Sequence, residues 1–244
     1  MTDFHTHILP KMDDGSSSLR MSVQMLNAES RQGIDRLVMT PHFYARSESP
    51  ERFLRRRDRA VELLRTAYDP SVHPTLHVGA EVAYFGGLSG ISRLDRLCIT
   101  GTNVLLIEMP FKKWSEVVVE DILHIRDMGY VPVVAHYERY AQSRELFAFL
   151  LGEGVIFQTN AEHFASGYFS NRKALHSVKN RELQLLGSDC HNMSSRAPNM
   201  ADTMELIRKK LGQDALYEME DMADRLLDGA ERLTPSEAED GTEF

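Results

Sequence analysis

Apolar residues in this chain gather into seven short runs: Phe4–Ile8, Arg36–Thr40, Leu76–Ala80, Val104–Glu108, Val131–Ala135, Gly154–Thr159 and Gln184–Gly187. Most are near-continuous in Val, Ile and Leu, the pattern of strands covered on both faces. The stretches between them carry a helical period instead. Leu19, Val23 and Leu26 fall at i, i+4 and i+7, behind the candidate N-caps Ser16–Ser18 and ahead of Gly33 as a stop. Val118, Ile122 and Ile125 repeat the spacing before Gly129, as do Met204, Ile207 and Leu211 before Gly212. A last helix is expected over Ala215–Asp228, with Met219, Met222 and Leu226 on one face. Strand–helix alternation through seven units predicts an α/β fold of successive right-handed βα units, either a barrel or an open doubly wound sheet.

The 244 residues suit one larger α/β domain or two small ones. With no repeat or linker inside residues 1–213, a single domain ending near residue 230 is expected, followed by an acidic tail, 231–244, with almost nothing to bury. The net charge of -8 belongs to the end of the chain: residues 1–213 hold 26 basic and 25 acidic side chains, and residues 214–244 hold 2 and 11. A body this close to neutral has no electrostatic footprint for general nucleic-acid binding. Arg52, Arg55, Arg56, Arg57 and Arg59 cluster on a predicted helix, where Glu51, Asp58 and Glu62 would pair a solvated face. No stretch is apolar enough to span a membrane, and the opening residues lack a signal peptide's basic and apolar regions, so a soluble cytoplasmic protein is expected. Cys98 and Cys190 are too few for a disulfide framework.

The chemistry collects at the strand ends. The first run carries His5 and His7, the second is followed by His42, and the third is followed by Glu81. Glu108 ends the fourth, His136 follows the fifth, and Asp189 and His191 follow the seventh. That edge is where active sites form in α/β barrels and open sheets. Imidazole mixed with carboxylate suits zinc, iron or manganese better than magnesium. So many candidate ligands exceed what one ion takes, and two or three ions sharing Glu81 as a bridge account for them. A bridged hydroxide would then be a nucleophile at neutral pH.

Asp3-Phe4-His5-Thr6-His7-Ile8-Leu9-Pro10 with Asp13-Asp14-Gly15 resembles the opening motif of the polymerase-and-histidinol-phosphatase (PHP) superfamily. Thr40-Pro41-His42-Phe43, Gly79-Ala80-Glu81, Ile107-Glu108-Met109-Pro110 and Gly187-Ser188-Asp189-Cys190-His191-Asn192 match its later motifs. His136-Tyr137-Glu138-Arg139-Tyr140 narrows the resemblance to the CpsB/CapC type of bacterial protein-tyrosine phosphatase, and the match runs to about residue 230.

The resemblance implies a distorted seven-stranded α/β barrel holding three divalent ions, usually manganese, with iron or zinc as alternatives. His5, His7, Glu81 and Asp189 would hold one ion, Glu81, Glu108 and His136 a second, and Asp14, His42 and His191 a third. Register with the family motif selects Asp14 over Asp13, and Asp3 would orient a histidine. Arg139 matches the family's phosphate-binding arginine and Arg196 is a second candidate, a planar guanidinium being suited to grip phosphate oxygens in pairs. The implied substrate and partner is a tyrosine-phosphorylated bacterial kinase that regulates exopolysaccharide or capsule synthesis. A homo-oligomer is a further candidate assembly, since relatives form rings.

Two residues depart from the family pattern: Tyr137 stands where many relatives have proline, and Cys190 where they commonly have alanine. Cys190 to Arg196 has the Cys-x5-Arg spacing of cysteine-dependent tyrosine phosphatases, but the loop lacks glycine and both neighbours of the cysteine are ligand candidates. A histidinol-phosphate phosphatase and a non-catalytic, kinase-binding regulator are the alternative readings.

Overall fold

The computed structural model describes residues 1–165 and 168–228; the expected tail and domain end lie outside the described residues. Along the chain run β1 (Thr2–Thr6), α1 (Leu19–Arg31), β2 (Arg36–Met39), β3 (His42–Phe43), α2 (Pro50–Arg65), β4 (Thr75–Val78), β5 (Glu81–Ala83), α3 (Leu94–Leu97), β6 (Val104–Glu108) and α4 (Glu116–Asp127). Then follow β7 (Val131–Val134), α5 (Arg144–Gly152), β8 (Ile156–Asn160), α6 (Glu162–Ala165), α7 (Tyr168–Lys179), β9 (Leu185–Gly187), α8 (Met200–Leu211) and α9 (Gln213–Asp228).

Every strand pairing is parallel, in the orders β1-β2-β4 and β3-β5-β6-β7-β8-β9. The sheet curls far enough to bring its first strand against its last. Asp189 N–H donates to His5 O at 2.8 Å and His7 N–H to Cys190 O at 3.0 Å. The second and third expected strands are each followed, past a break, by a short further strand that was not expected. Pro41, with no N–H, separates β2 from β3, and Gly79-Ala80 separates β4 from β5. Arg57 secures the second break. It is buried, not on the solvated face expected of it, and donates to Gly79 O and Arg96 O, both at 3.1 Å. The outer arginines differ from expectation in partner: Arg52 and Arg56 pair with Glu48 instead of Glu51 or Glu62.

Ser18 caps α1, its side chain accepting from Met21 N–H, and Gly33 follows the helix with φ +78. The buried face of α1 is Ser22, Met25, Leu26, Ala28 and Glu29; of the expected Leu19, Val23 and Leu26 only the last is fully buried, because the face turns toward Ser22 and Glu29, which find polar partners inside. The buried face of α9 keeps the expected Met219 but otherwise runs through Leu216, Ala223 and Leu227. Ala223 and Leu227 join a second apolar cluster with Phe4, Val38, Leu106, Val133 and Leu185, with Met222 and Leu226 packed at its side. Hydrogen bonds tie α9 to the strands' N-terminal ends: Thr2 N–H donates to Glu220 at 2.7 Å, and Arg36 to Asp228 at 2.6 Å. The C-terminal ends are left to the chemistry. Among the described residues no helix is long and apolar enough to cross a membrane.

Candidate metal centre

Glu81 opens β5 directly after the Gly79-Ala80 break and is fully buried among four imidazoles. Its Oε1 lies 2.7 Å from His136 Nε2, and its Oε2 lies 2.8 Å from His42 Nδ1 and 3.3 Å from both His5 Nε2 and His7 Nε2. The remaining expected ligands close around this group. Glu108 Oε1 is 3.6 Å from His136 Nε2. Asp14 Oδ1 is 3.5 Å from His42 Nε2 and 3.4 Å from His191 Nε2. Asp189 Oδ1 is 3.4 Å from His7 Nε2, 3.5 Å from His191 Nδ1 and 3.7 Å from His5 Nε2. The structure therefore brings all nine expected ligands into one cluster.

The donor chemistry fits cations. His42 Nδ1, Glu81 Oε2 and His191 Nε2 are buried with no hydrogen-bond partner, although the first two are in close approach. Such orphaned lone pairs are costly unless something else satisfies them. Donor atoms within 4.8 Å of one another form three overlapping sets: His5, His7 and Glu81; His42, Glu81 and Glu108; and His7, His42 and His191. Glu81 recurs in two of them, as a bridging carboxylate would. The sets differ from the expected grouping in placing His7 beside His42 and His191, and His42 beside Glu108.

Protonation follows from who faces whom. Burial pulls His5 and His7 down, but Glu81 and Asp189 around His5, and Asp13 against His7, outweigh it and raise both. Burial lowers His136 and, helped by His7, takes His191 down to about 4. Burial pushes Glu108 up to about 7, reinforced by the charge of Glu81. For Glu81 itself, burial is outweighed by His5 and the other imidazoles, and its carboxyl sits well below the usual range.

A ring of supports aims these groups. Asp13 Oδ2 accepts from His7 Nδ1 at 2.8 Å and from His42 N–H at 2.9 Å, the backbone donor freed beside Pro41, while Oδ1 accepts from Gly15 N–H at 2.9 Å. Asp13 thus stands behind the histidines and Asp14 in front of them. Gln158 Oε1 accepts from His136 N–H at 2.8 Å and meets His5 Nδ1 at 3.1 Å, which turns His5 Nε2 to the centre. The Tyr140 hydroxyl meets His136 Nδ1 at 3.1 Å. Asp3, expected to orient a histidine, meets His5 through the backbone: its Oδ1 accepts from the N–H groups of His5 and Ser188. Two glycines allow the close packing. A Cβ on Gly15 would lie 2.3 Å from His7 O, and one on Gly187 would lie 2.7 Å from His5 Cβ. His136 and Asp189 reach their places with left-handed backbone, φ 31 and 53, which L residues rarely adopt.

Arg139 and Arg196 converge on one atom, Asp189 Oδ2, at 3.0 and 2.7 Å, and Asn160 Nδ2 donates to it at 2.8 Å. Those donors leave Asp189 Oδ1 to the histidines. Glu138 is half-buried between His136 and Arg139 and accepts from Thr159 Oγ1 at 3.1 Å, tying the arginine's loop to β8. Tyr137 meets Phe147 with ring centroids 4.6 Å apart. Cys190 is fully buried and turned away, its Sγ donating to Glu29 Oε1 at 3.6 Å; burial and the charges of Glu29 and Asp3 push the thiol well up. That environment opposes a thiolate nucleophile.

Sequence reasoning missed Gln158, Asn160 and Tyr140. The first two lie on the one expected strand that ended in neither histidine nor carboxylate. Two amides in a strand covered on both faces are the available signal, since buried amides require partners.

Comparison with known proteins gives a consistent picture. A tyrosine-protein phosphatase of Bacillus subtilis, YwqE, is 28% identical over 239 residues, covering 93% of this chain and 91% of its own. The tyrosine-protein phosphatase CpsB of Streptococcus pneumoniae is 28% identical over 231 residues, covering 90% and 94%. A crystal structure from work on these two proteins, described as unique metal-dependent tyrosine phosphatases, superposes with a TM-score of 0.82 at 26% identity, covering 94% of this chain and 95% of that one. The phosphotriesterase homology protein of Escherichia coli, at 12% identity and a TM-score of 0.53, shares the fold alone. The family described as "Capsular polysaccharide synthesis, CpsB/CapC" matches residues 1–225, and the chain belongs to it.

Proposed function

We propose that this chain is a metal-dependent protein-tyrosine phosphatase that acts in the cytoplasm on a bacterial tyrosine kinase regulating capsule or exopolysaccharide synthesis. The observation that carries the reading is Glu81, one buried carboxylate touched by His5, His7, His42 and His136. Counted through the breaks at Pro41 and Gly79, the strands form a distorted seven-stranded barrel within a single domain ending near residue 230. Three divalent ions, manganese foremost, would be held by His5, His7, Glu81 and Asp189, by Glu81, Glu108 and His136, and by Asp14, His42 and His191.

When bound, such ions supply Lewis acidity toward phosphoryl oxygens and lower the pKa of water. The chain's own groups do the rest. Arg139 and Arg196, already converging beside Asp189, grip the ester oxygens that face away from the ligands and stabilise charge growing on them. Glu138 ties the Arg139 loop to β8, and Asn160, also on β8, holds the Asp189 oxygen that both arginines meet. The leaving phenolate derives from a group of pKa about 10 and departs without a proton donor. No side-chain nucleophile is required.

The test is metal stripping combined with Cys190→Ser. Chelation abolishes release of phosphate from a tyrosine-phosphorylated peptide, manganese restores it, and Cys190→Ser stays active and insensitive to thiol alkylation. A folded, metal-loaded Cys190→Ser protein without activity overturns the mechanism. Preference for histidinol phosphate over the peptide overturns the substrate.

A further inference from the structure

Two large aromatic side chains stand exposed beside the buried centre, one on each side of Glu81. Tyr44 follows β3, which pairs with one edge of β5, and Phe111 follows β6, which pairs with the other. Tyr44 is 43% exposed and its ring lies 5.1 Å from that of His42 at 31°. Phe111 is 57% exposed and its ring lies 6.3 Å from that of His136, nearly parallel at 13°. Those two histidines contact opposite oxygens of the same carboxylate, Oε2 and Oε1 of Glu81. The aromatics therefore lie on opposite sides of the central ligand, each beside a histidine that contacts it.

Phe111 is not left out by accident of a loose loop. Its carbonyl accepts from Gln142 Nε2, and the preceding Pro110 carbonyl accepts from Trp114 Nε1 at 3.1 Å. Trp114 in turn packs on Tyr140, 5.2 Å away, which is also 6.0 Å from Phe111 and bonded to His136. A single exposed aromatic needs no explanation. Two of them, one beside His42 and one beside His136, the second anchored through Tyr140, are different: they offer exposed ring surface on both sides of the centre.

Resting on the phosphatase reading, we propose that Tyr44 and Phe111 form an aromatic slot that receives the ring of an aryl phosphate ester and selects aryl over alkyl esters. A phosphate seated by the ligands and by Arg139 and Arg196 projects its ester group outward between the two rings. A phenyl group there gains face-to-face or edge contacts on both sides, whereas a short alkyl group reaches neither.

The experiment measures binding of phenylphosphonate and methylphosphonate, which cannot be hydrolysed, to the manganese-loaded protein by calorimetry. Phe111→Ala and Tyr44→Ala each weaken phenylphosphonate about 5- to 20-fold while methylphosphonate changes less than about twofold. Phe111→Tyr, which keeps a ring, retains the preference. Equal loss for both ligands, or no loss for either, overturns the slot. Turnover of tyrosine-phosphorylated peptide by the unaltered protein is measured alongside. Absent turnover with an intact phenyl preference sinks the phosphatase reading and leaves the slot standing, and normal turnover with an unchanged ratio in the variants does the reverse.

Discussion

Replacing Asp13 by Asn tests whether the supports of the centre, as distinct from its ligands, set its affinity for metal. The substitution keeps size and shape but converts one carboxylate oxygen into a donor. Asp13 accepts three hydrogen bonds, two at Oδ2 from His7 Nδ1 and His42 N–H and one at Oδ1 from Gly15 N–H. Neither orientation of an amide satisfies all three. With its oxygen toward His7, the amide nitrogen meets the Gly15 N–H; flipped, it opposes both His7 and His42. The flipped form favours the His7 tautomer that places its proton on Nε2, the atom turned toward Glu81 and Asp189. Loss of one charge-assisted bond corresponds to about 1.5–3 kcal/mol. Loss of such a support typically lowers metal affinity about 10- to 100-fold. Manganese titration against a chelating dye reads this directly, with activity at saturating manganese as the second measure. Asp13→Asn is expected to need more metal and to recover much of its rate when supplied with it. Asp14→Asn, which alters a group facing His42 and His191, is expected to lose rate even at saturation. Wild-type metal affinity in folded Asp13→Asn protein would refute the reasoning.

The metal-free centre should hold protons that metal displaces, because Glu81, Asp189 and Asp13 raise His5 and His7 above the ordinary histidine value. Manganese binding near pH 7 is then expected to release about one proton or more and to weaken as pH falls; calorimetry in buffers of different ionisation enthalpy measures it, and a heat independent of buffer contradicts it. A separate pH effect resides in Glu29, whose carboxyl burial and the charge of Asp3 raise well above its ordinary value. A raised carboxyl binds more protons folded than unfolded, so its contribution to stability is full at low pH and declines as pH rises from about the unfolded value of 4.3 through the folded one. Glu29→Gln should therefore raise Tm at pH 8 relative to the parent and not at pH 4, and a Tm difference independent of pH would count against this assignment.

The strands were legible because Val, Ile and Leu run without alternation through segments buried on both faces. The breaks were not, although Pro41 and Gly79 are plain in the chain, because apolar runs continue across or up to them; what interrupts the ladder is a missing N–H in one case and a buried arginine in the other. The faces of α1 and α9 slipped for related reasons. An apolar stripe cannot reveal that Ser22 and Glu29 have partners inside, nor that α9 touches two separate clusters. The cluster around Glu81 was legible since histidines and carboxylates are conspicuous at strand ends. Gln158, Asn160 and Tyr140 were not, because amides and phenols occur throughout the chain and only their neighbours in space give them a task.

The left-handed backbone at His136 and Asp189 bears on how such a protein can change over generations. Glycine relieves a left-handed conformation that costs an L residue about 1–2 kcal/mol, yet it carries neither imidazole nor carboxylate. With His136 and Asp189 as the proposed ligands, a more durable polypeptide and a working one pull in opposite directions at these two positions. Selection for heat resistance or yield alone would drift toward inert variants there, while selection for turnover holds both positions in place and leaves the chain less stable than it could become.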